Sequence, residues 1–348
     1  MSPSPYLDTL GLWDATAAWP DALGAVDDVG PVGTPSGGPS DVASVALFGA
    51  GASALATRAV ELIGGPRCRV PLWAGRGPEV PGFVGPTTLV VALSASGDSA
   101  PTREAALTSA TRGASVVVVT GGGALGEWAR SSDLPVTSLA PGPPGRIVSR
   151  CALGSATASI LMVLARAGVL ADVTPSLSAA RVTVQRRRDA LLQPGNMAEE
   201  LARRIGRSIA LVYGAGPAGA LAARRWKEQV NANAKTPAFW GAVPEVSYGE
   251  VAGWGQHGDV TRQVFTLVAL RHHGEDELSS RRFDAVLGAS DEVVGSVLSV
   301  RGEGEDDLGR FFDLALVGDF VSLHMAGREG VDPGPLAVVD DIEGGLSP

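Results

Sequence analysis

The sequence SVALFGAGASALATRAVELI, residues 44–63, decides the fold class. An apolar run of strand length ends at a glycine turn and is followed by residues with helical periodicity, which is the pattern of a strand joined to a helix. A second copy, RSIALVYGAGPAGALAARRW, occupies residues 207–226. Gly49 of the first copy corresponds to Gly214 of the second, an offset of 165 residues (214 minus 49). An internal repeat of this length predicts two similar lobes.

Strands and helices alternate through the rest of each repeat, as in TTLVVALSASGDS and ASVVVVTGGG of the first. Such alternation predicts an α/β fold, with a doubly wound parallel sheet flanked by helices in each lobe. We expect an amphipathic lead-in helix over residues 5–26. The expected organisation is an N-terminal helix and linker (1–40), a first lobe (41–172), a connecting helix (173–200), a second lobe (201–335) and a C-terminal tail (336–348).

Composition excludes several classes of function. The formal net charge of -9 and pI near 5.0 provide no basic surface for nucleic acid. No apolar run reaches the roughly 18 residues that span a bilayer, and the first residues lack the cationic start of a secretory signal. We therefore expect no nucleic-acid or membrane partner and a cytoplasmic location. Cys68, Cys151 and the four histidines lack the spacing of metal ligands, so no metal is expected.

The segment GAGPAG, residues 214–219, matches the glycine pattern of a dinucleotide-binding turn. That site also needs an acidic residue about 20 positions further on to bind the ribose. The corresponding stretch VNANAKTPAFW has none, and the first copy of the turn lacks the third glycine. Dinucleotide binding stays an alternative, but the pattern favours a tight turn without a cofactor.

The segment SASGDSAPT, residues 94–102, lies where a strand is expected to end and a helix to begin. Hydroxyl groups beside the unpaired amides of a helix N-terminus favour binding of an anion such as phosphate. Ordinary helix capping by serine and threonine is the alternative interpretation. A further hydroxyl follows the first glycine turn and is expected at the same sheet edge. The predicted phosphate-binding residues are Ser53, Ser94, Ser96 and Ser99.

The first glycine turn, followed by the S-x-S-G-x-S pattern of residues 94–99, resembles the SIS (sugar isomerase) domain. Residues 224–254, RRWKEQVNANAKTPAFWGAVPEVSYGEVAGW, are similar to a signature of bifunctional phosphoglucose/phosphomannose isomerases, RWK-x-Q-x-NENAK-x-PA followed by PE-x-x-HNE-x-x-G-W. Residues 317–335 are similar to that family's closing D-[YF]-VS and GVDP-x-P motifs. The resemblance implies two SIS-type αβα sandwich lobes, a sugar-phosphate ligand, aldose–ketose isomerase chemistry and a homodimer.

The resemblance also implies roles for individual residues. Arg146 matches the arginine that steadies negative charge on the enediolate, although a solvated loop arginine is the alternative. Three further positions depart from the family: its proton-transferring Glu is Ala232, its ring-opening His is Tyr248 and its C-terminal Lys falls on Glu343. Alanine carries no proton, and a phenol with a pKa near 10 is a poor acid–base group at neutral pH.

These departures lead to three hypotheses. The first is a sugar-phosphate-binding pseudoenzyme of this family with lost or weak isomerase activity. The second is an active aldose–ketose isomerase that uses relocated acid–base residues, and the third is a dimeric scaffold with a vestigial pocket. Candidates for relocated groups are Asp98, Glu228, Glu250 and His257.

Overall fold

The computed structural model describes residues 6–24, 41–139, 142, 145 and 147–346. The chain forms two compact units. The first lobe contains the described residues between 18 and 184 together with 305–309, and the second lobe contains those up to 17, 185–304 and 310–346. The limits that the sequence suggests for the lobes stay predictions.

The first lobe is built on a five-stranded parallel sheet in the order β2-β1-β3-β4-β5. Its central strand β3 is buried along its whole length, which matches its uninterrupted apolar sequence. Alanines of α4 and α5 pack on one face of the sheet and form a core with the valines of β3 and β4. The elements are α2 (Trp19–Gly24), β1 (Ser44–Phe48), α3 (Ala54–Ala59), β2 (Leu72–Gly75), β3 (Thr88–Ser94), α4 (Ala100–Thr111), β4 (Ser115–Thr120), α5 (Gly123–Ser131), β5 (Val136–Ser138) and α6 (Leu153–Arg166), followed by α7 (Thr174–Leu191), within which the two units divide.

The second lobe is built on a four-stranded parallel sheet in the order β7-β6-β8-β9. The apolar side chains of β6 and β8 form a core with Phe283 and Val286 of α11. The two sheets bear out the α/β class with parallel strands. The elements are α1 (Leu12–Ala17), α8 (Met197–Ile205), β6 (Ile209–Ala215), α9 (Gly216–Asn233), β7 (Ala238–Val243), α10 (Gly258–Val264), β8 (Phe265–His272), α11 (Glu277–Asp291), β9 (Ser296–Gly302), α12 (Asp307–Arg328) and α13 (Ala337–Leu346).

The expected single helix over residues 5–26 is wrong within the described part of the chain. Two short helices, α1 and α2, occupy it instead. Asp8 starts α1 by accepting hydrogen bonds from the backbone N–H groups of Leu12 and Trp13, both at 2.8 Å. Pro20 has no backbone N–H and fits only the first turn of a helix, so a new helix begins there.

The segment that the sequence suggests as a C-terminal tail contains the helix α13. The segment 173–200, expected as one connecting helix, contains α7 and the start of α8 with a non-helical break between them. Within the described residues, no helix has the length and apolar character needed to cross a bilayer.

Candidate functional site

The serine loop, residues 94–99, connects the carboxyl end of β3 to the N-terminus of α4. Ser99 is the residue that precedes the first helical residue, and its side chain makes no capping hydrogen bond to the backbone. Its hydroxyl instead lies 3.0 Å from the hydroxyl of Thr102. The N-terminal amides of α4 therefore do not depend on Ser99 for capping, and they give this end of the loop a partial positive charge.

The other three hydroxyls shape the loop and its approach to the first glycine turn. Ser94 is 2% exposed, and its Oγ accepts a hydrogen bond of 3.1 Å from the N–H of Gly97. The Oγ of Ser53 accepts from the N–H of Ala95 at 3.3 Å. Ser96 is exposed, and its Oγ accepts from the N–H of Asp98 at 3.2 Å.

A second hydrogen bond joins the glycine turn to this loop region. The N–H of Ala50 donates to the buried hydroxyl of Thr102 at 3.2 Å. Together with the contact between Ser53 and Ala95, it places the turn beside the serine loop. The structure thus brings the four predicted hydroxyl residues into one hydrogen-bonded region of the first lobe. Because each of the serines at 53, 94 and 96 accepts a bond at oxygen, its hydroxyl proton is still a potential donor to an anion.

Of two further residues predicted in this lobe, the structure describes Asp98 but not Arg146. Asp98, a candidate for a relocated acid–base group, accepts a hydrogen bond of 3.2 Å from the N–H of Ala124 at the start of α5. This contact gives the carboxylate a structural role between the serine loop and α5. Arg146 lies outside the residues that the structure describes.

Ala232 lies in the last turn of α9 and is half-buried. Lys235 follows this helix with a φ of 54°, in the left-handed region. Its Nζ donates hydrogen bonds to the carbonyl oxygens of Ala232, at 2.5 Å, and Pro333, at 3.2 Å. At position 232, where the sequence resemblance predicts a proton-transferring carboxylate, the second lobe therefore has a methyl side chain, and the ammonium of Lys235 binds the backbone carbonyl of the same residue.

Tyr248 is 73% exposed and follows a short 3-10 turn, Glu245–Ser247. The guanidinium of Arg282 lies 5.2 Å from the centre of its ring. Two residues later, Glu250 accepts a hydrogen bond from the hydroxyl of Tyr213. Burial, together with this carboxylate, raises the pKa of Tyr213, so the phenol stays protonated and occupies Glu250 as a partner.

Among the described residues, no hydrogen bond found joins the remaining second-lobe candidates into an acid–base pair. Glu228 lies one turn before Ala232 and accepts a hydrogen bond of 2.8 Å from Nε of Arg224. His257 is exposed and precedes α10. Glu343 lies in α13. Among the residues that the structure describes, no group of three or more His, Cys, Asp or Glu side chains could hold a metal ion.

The family-like segments quoted from the sequence meet in a buried polar cluster of the second lobe. Arg225 on α9 forms two hydrogen bonds of 2.8 Å to the carboxylate of Asp319 on α12, and the two side chains are 3% and 0% exposed. Asn233 donates to the hydroxyl of Ser322 at 2.9 Å, and that hydroxyl donates to the carbonyl of Asp319 at 2.6 Å. These signature residues thus join α9 to α12.

Arg225 and Asp319 lie within the two sequence segments that resemble the isomerase signature, but the sequence alone predicts no role for either residue. A signal existed, because Asp319 interrupts the apolar run of α12 and a buried charge requires a partner. The identity of that partner had no local signal, since the two residues are 94 positions apart.

The comparisons with known proteins agree with this architecture. Residues 195–344 match the model of the bacterial phospho-glucose isomerase C-terminal SIS domain. The chain is 26% identical to a bifunctional phosphoglucose/phosphomannose isomerase of Caldicellulosiruptor bescii, over 88% of this chain and 90% of that protein. It is 28% identical to a protein of the same description from Aquifex aeolicus, over 76% of this chain and 78% of that protein.

Solved structures show the same fold at lower sequence identity. Tagatose-6-phosphate ketose/aldose isomerase from Escherichia coli superposes with a TM-score of 0.68 at 15% identity, over 96% of this chain and 97% of that one. The C-terminal domain of glucosamine-fructose-6-phosphate aminotransferase from Francisella tularensis gives 0.70 at 16% identity, over 96% and 100%.

Two parallel sheets flanked by helices, with a serine loop at the carboxyl edge of the first, define a protein with two SIS-type lobes. Over most of its length the chain is similar to bifunctional phosphoglucose/phosphomannose isomerases, and its second lobe matches the C-terminal SIS domain of bacterial phospho-glucose isomerase.

Proposed function

We propose that this protein binds a sugar phosphate through the serine loop and has lost most or all of the isomerase activity for which its relatives are named. The observation that carries the proposal is a contrast between two regions. The first lobe keeps hydroxyls at positions 53, 94, 96 and 99 beside the N-terminus of α4, while the second lobe has alanine at 232 and an exposed tyrosine at 248.

The geometry of the loop supports the binding half of the proposal. A phosphate at the N-terminus of α4 would meet backbone N–H groups and a partial positive charge. Ser96 is exposed and Ser99 is half-buried, so both hydroxyls are accessible from solvent. Hydroxyls and amides recognise a phosphate group without selecting one sugar, and we therefore assign the ligand only as a sugar phosphate.

Calorimetric titration tests this binding. We expect glucose 6-phosphate, mannose 6-phosphate or fructose 6-phosphate to bind with millimolar or tighter affinity. Ser96→Asp places a carboxylate in the loop and should abolish binding through repulsion and loss of a donor. Ser131→Asp adds the same charge at an exposed residue, the last of α5 in the same lobe, and should leave binding unchanged. Failure of all three sugar phosphates to bind the parent protein would refute the proposal.

An active isomerase with relocated acid–base groups is the second candidate, and the similarity of the chain to bifunctional phosphoglucose/phosphomannose isomerases favours it. A general base must come within about 2.6–3.2 Å of the atom that carries its proton. Glu228 is held by Arg224 and Glu250 by Tyr213, so each would first have to exchange its partner. A coupled assay of aldose–ketose conversion decides between the candidates, and turnover that disappears in Ser96→Asp would support the enzyme.

The assembly and location of the protein are part of the same proposal. We infer a homodimer that acts in the cytoplasm, and what supports this is the family resemblance together with the composition of the chain. Sedimentation at several protein concentrations tests the dimer. A monomer at all concentrations would contradict it.

A further inference from the structure

The N-terminal strap, residues 6–17, packs on α12 of the second lobe through a buried histidine. The hydroxyl of Tyr6 lies 3.1 Å from Nδ1 of His324, which is 3% exposed. The ring of Trp13 meets His324 edge-on at 5.3 Å and Phe320 at 5.1 Å. A Cβ on Gly327 would lie 2.2 Å from the ring of Tyr6, so the absence of a side chain there makes room for the strap.

The middle of the strap contacts the turn formed by residues 331–335. Thr9 donates a hydrogen bond of 2.6 Å from its hydroxyl to the carboxylate of Asp332. The next residue, Pro333, accepts a hydrogen bond from Lys235, which also holds the carbonyl of Ala232. The strap is therefore joined through this turn to the end of α9 that carries position 232.

His324 is a titratable group that no part of the proposed function uses. Burial lowers its pKa, and the carboxylate of Glu199 on α8 opposes that effect only in part. The facing Tyr6 has a raised pKa, because burial and Glu199 outweigh the effect of Arg328. In the part of the chain that the structure describes, Nε2 of His324 is buried and has no hydrogen-bond partner.

A proton on His324 would be poorly accommodated in this packing. The imidazolium donates at both nitrogens, whereas the rings of Tyr6 and Trp13 pack edge-on against His324, with ring centres at 5.7 and 5.3 Å. Burying a charged imidazolium away from water costs free energy. Exposing the ring to water removes that cost. The simplest way to expose His324 is to lift Tyr6 and Trp13 from α12.

We propose that residues 6–17 form a proton-released strap, which is docked on α12 while His324 is neutral and detaches, together with its contact to the 331–335 turn, when His324 is protonated. This device does not depend on sugar-phosphate binding. Its direction follows from linkage: docking is complete above the pKa of an exposed histidine, about 6.5, and weakens as the pH falls below it. Each unit by which docking lowers the pKa weakens docking about tenfold at sufficiently acidic pH.

Two measurements on the full chain test the proposal. The first is an NMR titration of the imidazole signals, which is simplified because the sequence has four histidines. We expect the pKa of His324 to lie below about 6.5 in the parent and to rise towards that value in Gly327→Ala, which displaces Tyr6. Gly288→Ala is the matched control, since nothing lies within 4 Å of its added Cβ.

The second measurement is hydrogen exchange of residues 6–17 at about pH 5 and about pH 7.5, corrected for intrinsic exchange rates. The parent should lose at least about tenfold in protection at the lower pH, with α9 unaffected. His324→Phe keeps an aromatic ring but no proton site, so its protection should not depend on pH.

An ordinary pKa for His324 in the parent would overturn the proposal. Acid-dependent loss of protection that persists in His324→Phe would also overturn it, because another group would then control the strap. If His324→Phe does not fold, the titrations of the parent and of Gly327→Ala still test the proposal. A pKa of His324 that is the same in both proteins would contradict the mechanism.

Discussion

A single glycine determines whether the serine loop can adopt its observed path. Gly97 has a φ of 88°, and a Cβ built there would lie 1.8 Å from the carbonyl oxygen of Gly122. The carbonyl of Gly97 also accepts a hydrogen bond of 2.9 Å from the N–H of Leu125, which ties the loop to α5. Close approach of two backbones is thus a condition for placing the hydroxyls together.

We expect Gly97→Ala to destabilise the protein by at least about 2 kcal/mol, because the left-handed conformation and the clash add. Sugar-phosphate binding should fall with it. Gly85→Ala is a suitable control, since its added Cβ meets only the carbonyl of Arg112, at 3.9 Å. Urea unfolding of both variants measures the difference. Equal stability of the two would show that the backbones separate without cost.

The sequence predicts the hydroxyl positions of this site better than their contacts. Serine and threonine beside a strand–helix junction indicated the loop, and the structure places them there. The bond from Ala95 to Ser53 could not be predicted, because its partners are 42 residues apart and meet only when β1 and β3 pair. The sequence around either residue does not indicate this contact.

At the scale of elements, one buried ion pair connects α9 to α12. Arg225 donates from Nε and Nη2 to the two carboxylate oxygens of Asp319, so the pair is bidentate. Removing Asp319 takes away the carboxylate that faces the buried charge of Arg225. We therefore expect Asp319→Ala to cost about 3–5 kcal/mol in the free energy of unfolding.

An exposed pair of the same chemistry is the appropriate comparison. Arg203 and Glu200 on α8 are 58% and 51% exposed, so Glu200→Ala should have little effect on the free energy of unfolding. The double variant Arg225→Met with Asp319→Leu removes both buried charges and should recover much of the loss. Chemical denaturation of the three variants measures these effects. If Asp319→Ala and Glu200→Ala are equally mild, the pair does not hold the helices together.

The strands that the sequence predicted are rich in apolar residues: β1, β3, β4, β6 and β8, together with β9, which is also an edge strand. The three that it did not resolve, β2, β5 and β7, are strands at the sheet edges. Edge strands pair on one side only and bury less surface, so their apolar pattern is weaker. In β7, for example, Phe239 and Trp240 are both exposed.

At the scale of the whole molecule, the two repeats share an architecture but differ at their carboxyl edges. The first lobe has hydroxyls after β3, whereas the second has an acidic stretch after β8. There the carboxylate of Glu275 accepts a hydrogen bond of 2.8 Å from the N–H of His272 and pairs with Arg271 at 2.8 Å. This loop of the second lobe thus contains its own anion, and a bound phosphate is expected only in the first.

The same division separates the predicted phosphate-binding residues from the positions that depart from the isomerase signature. The hydroxyls lie in the first lobe, and the altered positions 232, 248 and 343 lie in the second. If the family's chemistry lapsed through these substitutions, restoring them should recover part of it. Ala232→Glu would place a carboxylate near the ammonium of Lys235. The ammonium favours the ionised form of that carboxylate. A general base requires this ionised form.

We therefore expect the double variant Ala232→Glu with Tyr248→His to convert fructose 6-phosphate and glucose 6-phosphate slowly, while the parent shows weaker conversion or none. Each proton-transfer group contributes typically about 10²–10⁴-fold to a rate, so either single variant should be far weaker than the pair. Adding Ser96→Asp should abolish the recovered turnover, because the substrate would no longer bind. A double variant that binds the sugar phosphate with parental affinity yet stays inactive would show that residues 232 and 248 are not sufficient. The missing lysine, at Glu343, would then become the third position to restore.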